Sequence, residues 1–286
     1  MQEFKDYYIS RETEITKHFS IASESANEYS IHELRVEIKK IRAFLELIKG
    51  ITPYFDLRKA YQPIKKMFKA AAPIRDAQVL QTMTREYISE VGLDVNLSEY
   101  FNLLKQKEMA GKREFFKFCK KFNLSVLPKN WSAVESALAA VAKYGDSLKS
   151  DEDKISQYSK DYLKTLFDLL DGFRNKSVLE EKDFHDIRIL CKKSRYTLEI
   201  LSSLFSPESF ELMNKNLKIV HQPLGQWHDT DAAITLLNQV LADKTLKPLF
   251  SESSYNDTLQ SFQVRKQHFN DLFLGRFKTL NLKEIF

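Results

Sequence analysis

Glycine and proline are scarce in this sequence, seven of each among 286 residues. Turn-rich β architectures need both at their many chain reversals, so the shortage argues against a sandwich or barrel and leaves long helices as the default. Leu, Lys, Glu, Ala and Phe dominate, and β-branched runs with strand-like alternation are hard to find. Cysteine is rarer still. Cys119 and Cys191 each stand alone, which argues against a disulfide scaffold and a thiolate zinc site and fits a reducing, cytoplasmic setting. No run of about 18 apolar residues is present, so no membrane span is expected. The first residues, MQEFKDYYIS, are charged and aromatic, unlike a secretory signal peptide.

What the chain does have is hydrophobic content of 43%, enough to build a sizeable core. A large excess of one charge is missing: 44 Lys and Arg stand against 39 Asp and Glu, leaving +5. Bulk charge of that size says little about a polyanionic partner. Any such argument has to come from where the positive charges sit.

They sit in a repeat. Residues 31–48 read IHELRVEIKKIRAFLELI and residues 184–201 read FHDIRILCKKSRYTLEIL. His32 aligns with His185, Arg35 with Arg188, Lys39 and Lys40 with Lys192 and Lys193, Arg42 with Arg195, and Glu46 with Glu199, all at one offset, 185 − 32 = 153. A second pair, APIRDAQVL at 72–80 and GQWHDTDAA at 225–233, has the same offset, matching Asp76 to Asp229 and Arg75 to His228. Two separate motifs with one offset imply an internally duplicated unit. The expectation is an all-α chain of two helical bundles, 1–150 and 151–286, related by duplication and pseudo-twofold symmetry. The boundary falls in the polar stretch YGDSLKSDED at 144–153.

The 3.6-residue period places helices near 2–20, 30–49, 55–71, 74–90, 97–122, 131–143, 153–171, 182–204, 208–222, 224–243 and 254–274. Gly50 with Pro53, and Asp171 with Gly172, read as helix stops, and Pro73 and Pro223 as breaks ahead of the second motif. Asp94, Asn96 and Ser98 are candidate caps for the fifth helix.

On a helical wheel at about 100° per residue, His32, Arg35, Lys39, Arg42 and Glu46 fall within an arc of about 80°. Leu34, Ile38, Ile41, Leu45 and Ile48 occupy the neighbouring core face, while Glu33, Glu37 and Lys40 read as largely solvent-facing. His185, Arg188, Lys192, Arg195 and Glu199 repeat the stripe. Like charges one turn apart cost a helix roughly 0.2–0.5 kcal/mol per pair, so each stripe calls for an anion. The bland reading supplies it internally, from Glu46, Glu199, Asp76 and Asp229. The sharper one supplies it as a ligand, and the doubled stripe favours that. Arg offers planar bidentate donors to phosphate and Lys a mobile point charge. Lys65, Lys66, Lys69, Lys218 and His221 lie where they would extend such a surface. Taken singly, each lysine is better read as an ordinary solvent-facing residue.

H-x-x-R-x-x-x-K-x-x-R twice, with Ile74-Arg75-Asp76 and Trp227-His228-Asp229 following each in turn, resembles the CHAD family, the conserved histidine α-helical domain. The resemblance spans essentially the whole chain. It implies paired helical bundles whose basic residues converge on a shared surface, binding of inorganic polyphosphate, and association with polyphosphate granules. Carried onto this chain, the implied polyphosphate-binding residues are His32, Arg35, Lys39, Arg42, Arg75, His185, Arg188, Lys192, Arg195 and His228. His228 departs from the first half's Arg75 and makes that position's charge depend on pH.

Other chemistries stay open at this point. Phosphate transfer or metal-dependent phosphohydrolysis would use the His and Asp residues. Yet each His has Arg and Lys as neighbours on its face, which repel a metal cation, and no glycine-rich phosphate loop or nucleophile elbow occurs. No catalytic constellation, metal or cofactor is therefore expected. Nucleic acid would also satisfy the phosphate contacts, but no recognised base-reading module is present.

Overall fold

The computed structural model describes residues 2–93, 95–144, 150–243 and 251–280. Among them are nine α-helices and no strand. In chain order they are α1 Gln2–Ser25, α2 Glu28–Ile51, α3 Leu57–Val91, α4 Ser98–Cys119, α5 Val126–Tyr144, α6 Asp151–Arg174, α7 Glu181–Ile200, α8 Pro207–Ala242 and α9 Glu252–Lys278, with a short 3₁₀ turn at Ser202–Leu204. The all-helical expectation holds. At the offset of the sequence repeat, α1 to α4 correspond in order with α6 to α9, and α2 and α7 begin at equivalent positions, Glu28 and Glu181. α5 has no counterpart in that series.

Helix starts are fixed by side chains that satisfy otherwise orphaned amides. The Asn27 side chain accepts from the Ser30 amide at 2.8 Å to open α2, and Asp56 accepts from Lys59 at 3.0 Å to open α3. α7 opens with a capping box in which the Glu180 amide donates to Asp183 at 3.0 Å. The two helices that carry the basic stripes thus have defined registers.

The expected breaks at Pro73 and Pro223 do not occur. Each second motif lies inside one long helix: α3 runs through Pro63 and Pro73, and α8 through Pro223. An interior proline removes a hydrogen bond and crowds the preceding turn, but here packing outweighs that. Ala71, Ile74 and Ala77 are buried around Pro73, and Val220, Leu224 and Trp227 around a buried Pro223. α4 lies tight against α3 at Gly111, where a Cβ would lie 3.2 Å from the Ile74 amide and from the Pro73 ring. Asp171-Gly172 does not end α6, which continues to Arg174.

Gly50 is likewise inside α2 and ends nothing. A Cβ there would run into the Tyr162 ring of α6, so glycine serves close helix approach. The left-handed glycine cap is Gly92, at the end of α3, with φ 66°. The amide of Ser98 is held by Asn96 at 3.0 Å. Asp94, residues 145–149 of the boundary and the Ile285-Phe286 terminus lie outside the described residues.

Two hydrophobic cores result, and each draws on both halves of the sequence. The larger joins α1, α2, α5, α6 and α7 with parts of α3, α8 and α9. The smaller joins the distal parts of α3 and α8 with α4 and α9, where Tyr87 stacks edge-on with Phe262 at 4.8 Å and the Tyr255 hydroxyl accepts from the Tyr100 amide at 3.0 Å. Leu34, Ile38, Ile41, Leu45 and Ile48 are all fully buried, as the wheel predicts.

Candidate anion-binding site

α2 packs against both α6 and α7. The contact is reciprocal: Lys40 pairs with Glu199 at 3.3 Å, and Lys193, the counterpart of Lys40, pairs with Glu46 at 3.1 Å. This exchange of equivalent partners is the pattern of a self-complementary contact. It revises the expectation for Glu37 and Lys40. Glu37 is buried between Arg11, at 2.9 Å, and Lys40, at 3.4 Å, because the α2 face that would have met solvent instead meets α1 and α7.

Beside this seam the two stripes meet. Lys39 and Arg42 of α2, Arg188, Lys192 and Lys193 of α7, Phe68 of α3 and Tyr196 line one cleft of about 170 Å³. Five cations face a single carboxylate there, Glu46, which already serves Arg42 at 2.7 Å and Lys193. Among the described residues, Lys39, Arg188, Lys192 and Arg195 have no carboxylate within ion-pair distance. The Nε atoms of Arg188, on the cleft wall, and of Arg35 and Arg195 in the same stripes are buried without a hydrogen-bond partner, an uncommon state for buried donors.

The crowding is visible in proton affinity. Burial, then the charges of Arg35 and Arg188, bring Lys39 down to about 8. Burial, then Arg188 and Lys39, bring Lys192 down to about 7. Each lysine therefore feels cations of the other half, so the two stripes form one electrostatic unit.

The remaining expected residues surround this centre. Arg35 lies over the Phe68 ring at 4.1 Å, donates to the Phe68 carbonyl at 3.2 Å and reaches Asp76 at 3.7 Å. Arg75 is tied to Glu28 at 2.9 Å. His32 is half-buried, and burial followed by the Arg75 charge lowers its proton affinity. The His185 and His228 rings lie 6.3 Å apart. His228 is lowered by burial and then by Arg188, while burial raises the Asp229 carboxyl against the pull of Arg188. His221 is brought down to about 3, by burial and then by Lys192 and Arg195, and its buried Nε2 has no partner.

Lys66, Lys69 and Lys218 are exposed, and the structure does not draw them into the cleft. Lys65 is exposed too and lines a neighbouring pocket with Arg42. Among the described residues no group of three or more His, Cys, Asp or Glu could hold a metal ion.

Sequence reasoning missed Phe68, Tyr61, Lys193 and Tyr196. Phe68 supports Arg35 and Lys39, the latter at 5.9 Å from its ring, and Tyr61 lies 5.4 Å from the Arg42 guanidinium. A signal for Phe68 was available, since the offset of the repeat maps it onto His221.

The family profile described as the CHAD domain matches residues 15–238. No curated protein matches the chain in sequence. Among solved structures, the CHAD domain from the plant Ricinus communis superposes with a TM-score of 0.71 at 17% identity, covering 98% of this chain and 92% of that one. PptA from Streptomyces chartreusis superposes at 0.61 with 14% identity, covering 97% and 99%. At such identities the likeness is one of fold.

Proposed function

The chain belongs to the CHAD domain family, and from that premise we propose that its cleft binds inorganic polyphosphate, as a binder and not a catalyst. The observation that carries the reading is the convergence of Arg35, Lys39, Arg188 and Lys192 from two helices far apart in the chain, with both lysines forced toward their neutral forms. A folded protein gains nothing from such repulsion by itself. A bound polyanion turns it into attraction, restores the lysine charges and takes up protons as it binds.

The guanidinium groups of Arg42 and Arg188 on the cleft wall supply planar donors for phosphate oxygens. Arg42, Arg195, His32, His185, Arg75 and His228 extend the surface to either side, so the site belongs to both halves of the duplicated sequence. No helix among the described residues is long and apolar enough to cross a membrane. A cytoplasmic setting with association to polyphosphate granules is part of the same proposal.

The test is a calorimetric titration with long-chain polyphosphate at two salt concentrations. It runs beside Lys39→Met/Lys192→Met and an Arg35/Arg42/Arg188/Arg195→Ala variant of unchanged helicity. Wild type is expected to bind with a steep salt dependence, as counterion release requires, and both variants to lose affinity. Absence of wild-type binding, or equal binding by folded variants, would overturn the reading and leave the stripes as structural charge networks.

A further inference from the structure

Past Arg42 and Glu46, the cleft opens into a second, larger pocket of about 650 Å³ between the end of α2 and the start of α3. Its lining is of two kinds. Arg42, Lys49, Arg58 and Lys65 bring positive charge, while Tyr54 and Tyr61 bring aromatic surface. Tyr54 is 71% exposed on the connecting loop, an unusual place for a large ring. The carboxylates present are already engaged: Glu46 by Arg42 and Lys193, Asp56 by the Lys59 amide at the helix start.

The second half of the sequence builds nothing equivalent. At the same offset Tyr54 becomes Pro207, Arg58 becomes Glu211, Tyr61 becomes Asn214 and Lys49 becomes Ser202. The stripe cations recur in both halves, whereas this combination of rings and cations occurs once. It therefore serves something other than the function shared by the two stripes.

A bare phosphate chain uses the cations of such a pocket, and the tyrosine hydroxyls at most, and leaves the ring faces unused. A ligand with a flat aromatic group at one end and phosphates at the other uses both. The volume suits a small organic ligand, and exposed tyrosine is a stacking platform for any base. We propose that this pocket binds a nucleoside di- or triphosphate, its base on Tyr54 and its phosphates directed toward Arg42 and the cleft. The phosphate end of this assignment rests on the polyanion reading of the cleft. The base end rests on the pocket alone. Because Arg42 borders both spaces, nucleotide and polyphosphate compete for it.

The experiment compares ATP, inorganic tripolyphosphate and long-chain polyphosphate by calorimetry in EDTA-containing buffer, on wild type, Tyr54→Ala and Tyr54→Phe. Tyr54 is on the surface, so both variants are expected to fold. ATP is expected to bind wild type roughly tenfold tighter than tripolyphosphate, the margin that stacking of one base provides. Tyr54→Ala should abolish that margin without changing tripolyphosphate binding, and Tyr54→Phe should keep it. Equal affinity of wild type for ATP and tripolyphosphate, or a Tyr54→Ala effect on both alike, would overturn the pocket. Long-chain polyphosphate binding that persists in that case keeps the cleft reading intact. A Tyr54-dependent preference for ATP without polyphosphate binding would do the reverse.

Discussion

The two walls of the cleft carry the same cations at the same offset but stand on different supports. In the first half Arg35 and Lys39 lie against Phe68, whose ring face attracts positive charge and adds no titration of its own. In the second half the equivalent position is His221, an imidazole driven to its neutral form by burial and by the cations around it. At the outer edge Arg75 is anchored to Glu28, whereas its counterpart His228 sits beside Arg188 and the half-buried Asp229. The first wall therefore keeps its outer charge at any ordinary pH. The second can gain charge as pH falls or as an anion arrives. A repeated motif can thus place like cations on both walls while their surroundings decide how firmly each is charged.

The strongest test of the comparison removes what the walls share. Lys39→Met/Lys192→Met should lower polyphosphate affinity roughly a hundredfold or more in calorimetry, since a charge-assisted contact contributes about 1.5–3 kcal/mol. The same variant should melt higher than wild type, because it removes repulsion that Asp76 and Asp229 offset only in part. The pH dependence has a definite sign. Folded-state lysines near 8 and 7 lose protons that the unfolded chain holds until about 10.5. The unfolded state then binds more protons, and stability rises with pH. Ligand-free wild type should gain melting temperature between pH 6 and 9, and the double variant should lose most of that gain. A flat wild-type profile would show that the two lysines are not crowded.

Next in size is the seam on which both walls are mounted. Gly50→Ala places a methyl into the Tyr162 ring, and overpacking of this kind costs about 1–3 kcal/mol. Urea denaturation should show the loss. An unchanged midpoint would mean that α2 and α6 are not held as closely as the geometry requires.

A third change makes the walls alike. His228→Arg should raise polyphosphate affinity several-fold at pH 8 and flatten the pH dependence between pH 5 and 6, where both lysines are charged. If affinity titrates as in wild type over that range, His228 is not the pH-dependent element.

The smallest effect separates the two seam carboxylates. Glu46 holds two cations at 15% side-chain exposure, while Glu199 holds Lys40 at 42%. Glu46→Gln should cost about 1 kcal/mol and Glu199→Gln only a few tenths, given solvent screening of exposed pairs. Equal losses in denaturation would erase this asymmetry.

Much of this was legible in the sequence alone. The buried face of α2 follows from the positions of Leu34, Ile38 and Ile41, because a helix turns by a constant angle per residue. The stripe cations follow for the same reason, and their recurrence at a single offset favoured an anionic ligand, while a surface shared by both halves was what the family resemblance implied. The errors were equally physical. Pro73 and Pro223 read as breaks because local propensity carries no information about Gly111 or the buried faces that hold α3 and α8 continuous through them. Gly50 read as a helix stop because glycine is ambiguous between conformational freedom and close approach, and only the position of Tyr162 decides. Glu37 and Lys40 read as solvent-facing because the wheel shows which residues share a face and not which helix covers it.

By itself, then, the sequence determined the helices, the core face and the sets of like charges, all governed by spacing over a few turns. Tertiary structure alone decided which cations are neutralised. Lys40 and Lys193 find Glu199 and Glu46 across the seam, while Lys39 and Lys192 find each other. The reason is that ion pairing acts only at short range, whereas the partners come from opposite halves of the chain. Only packing of α2 on α7 sets those distances.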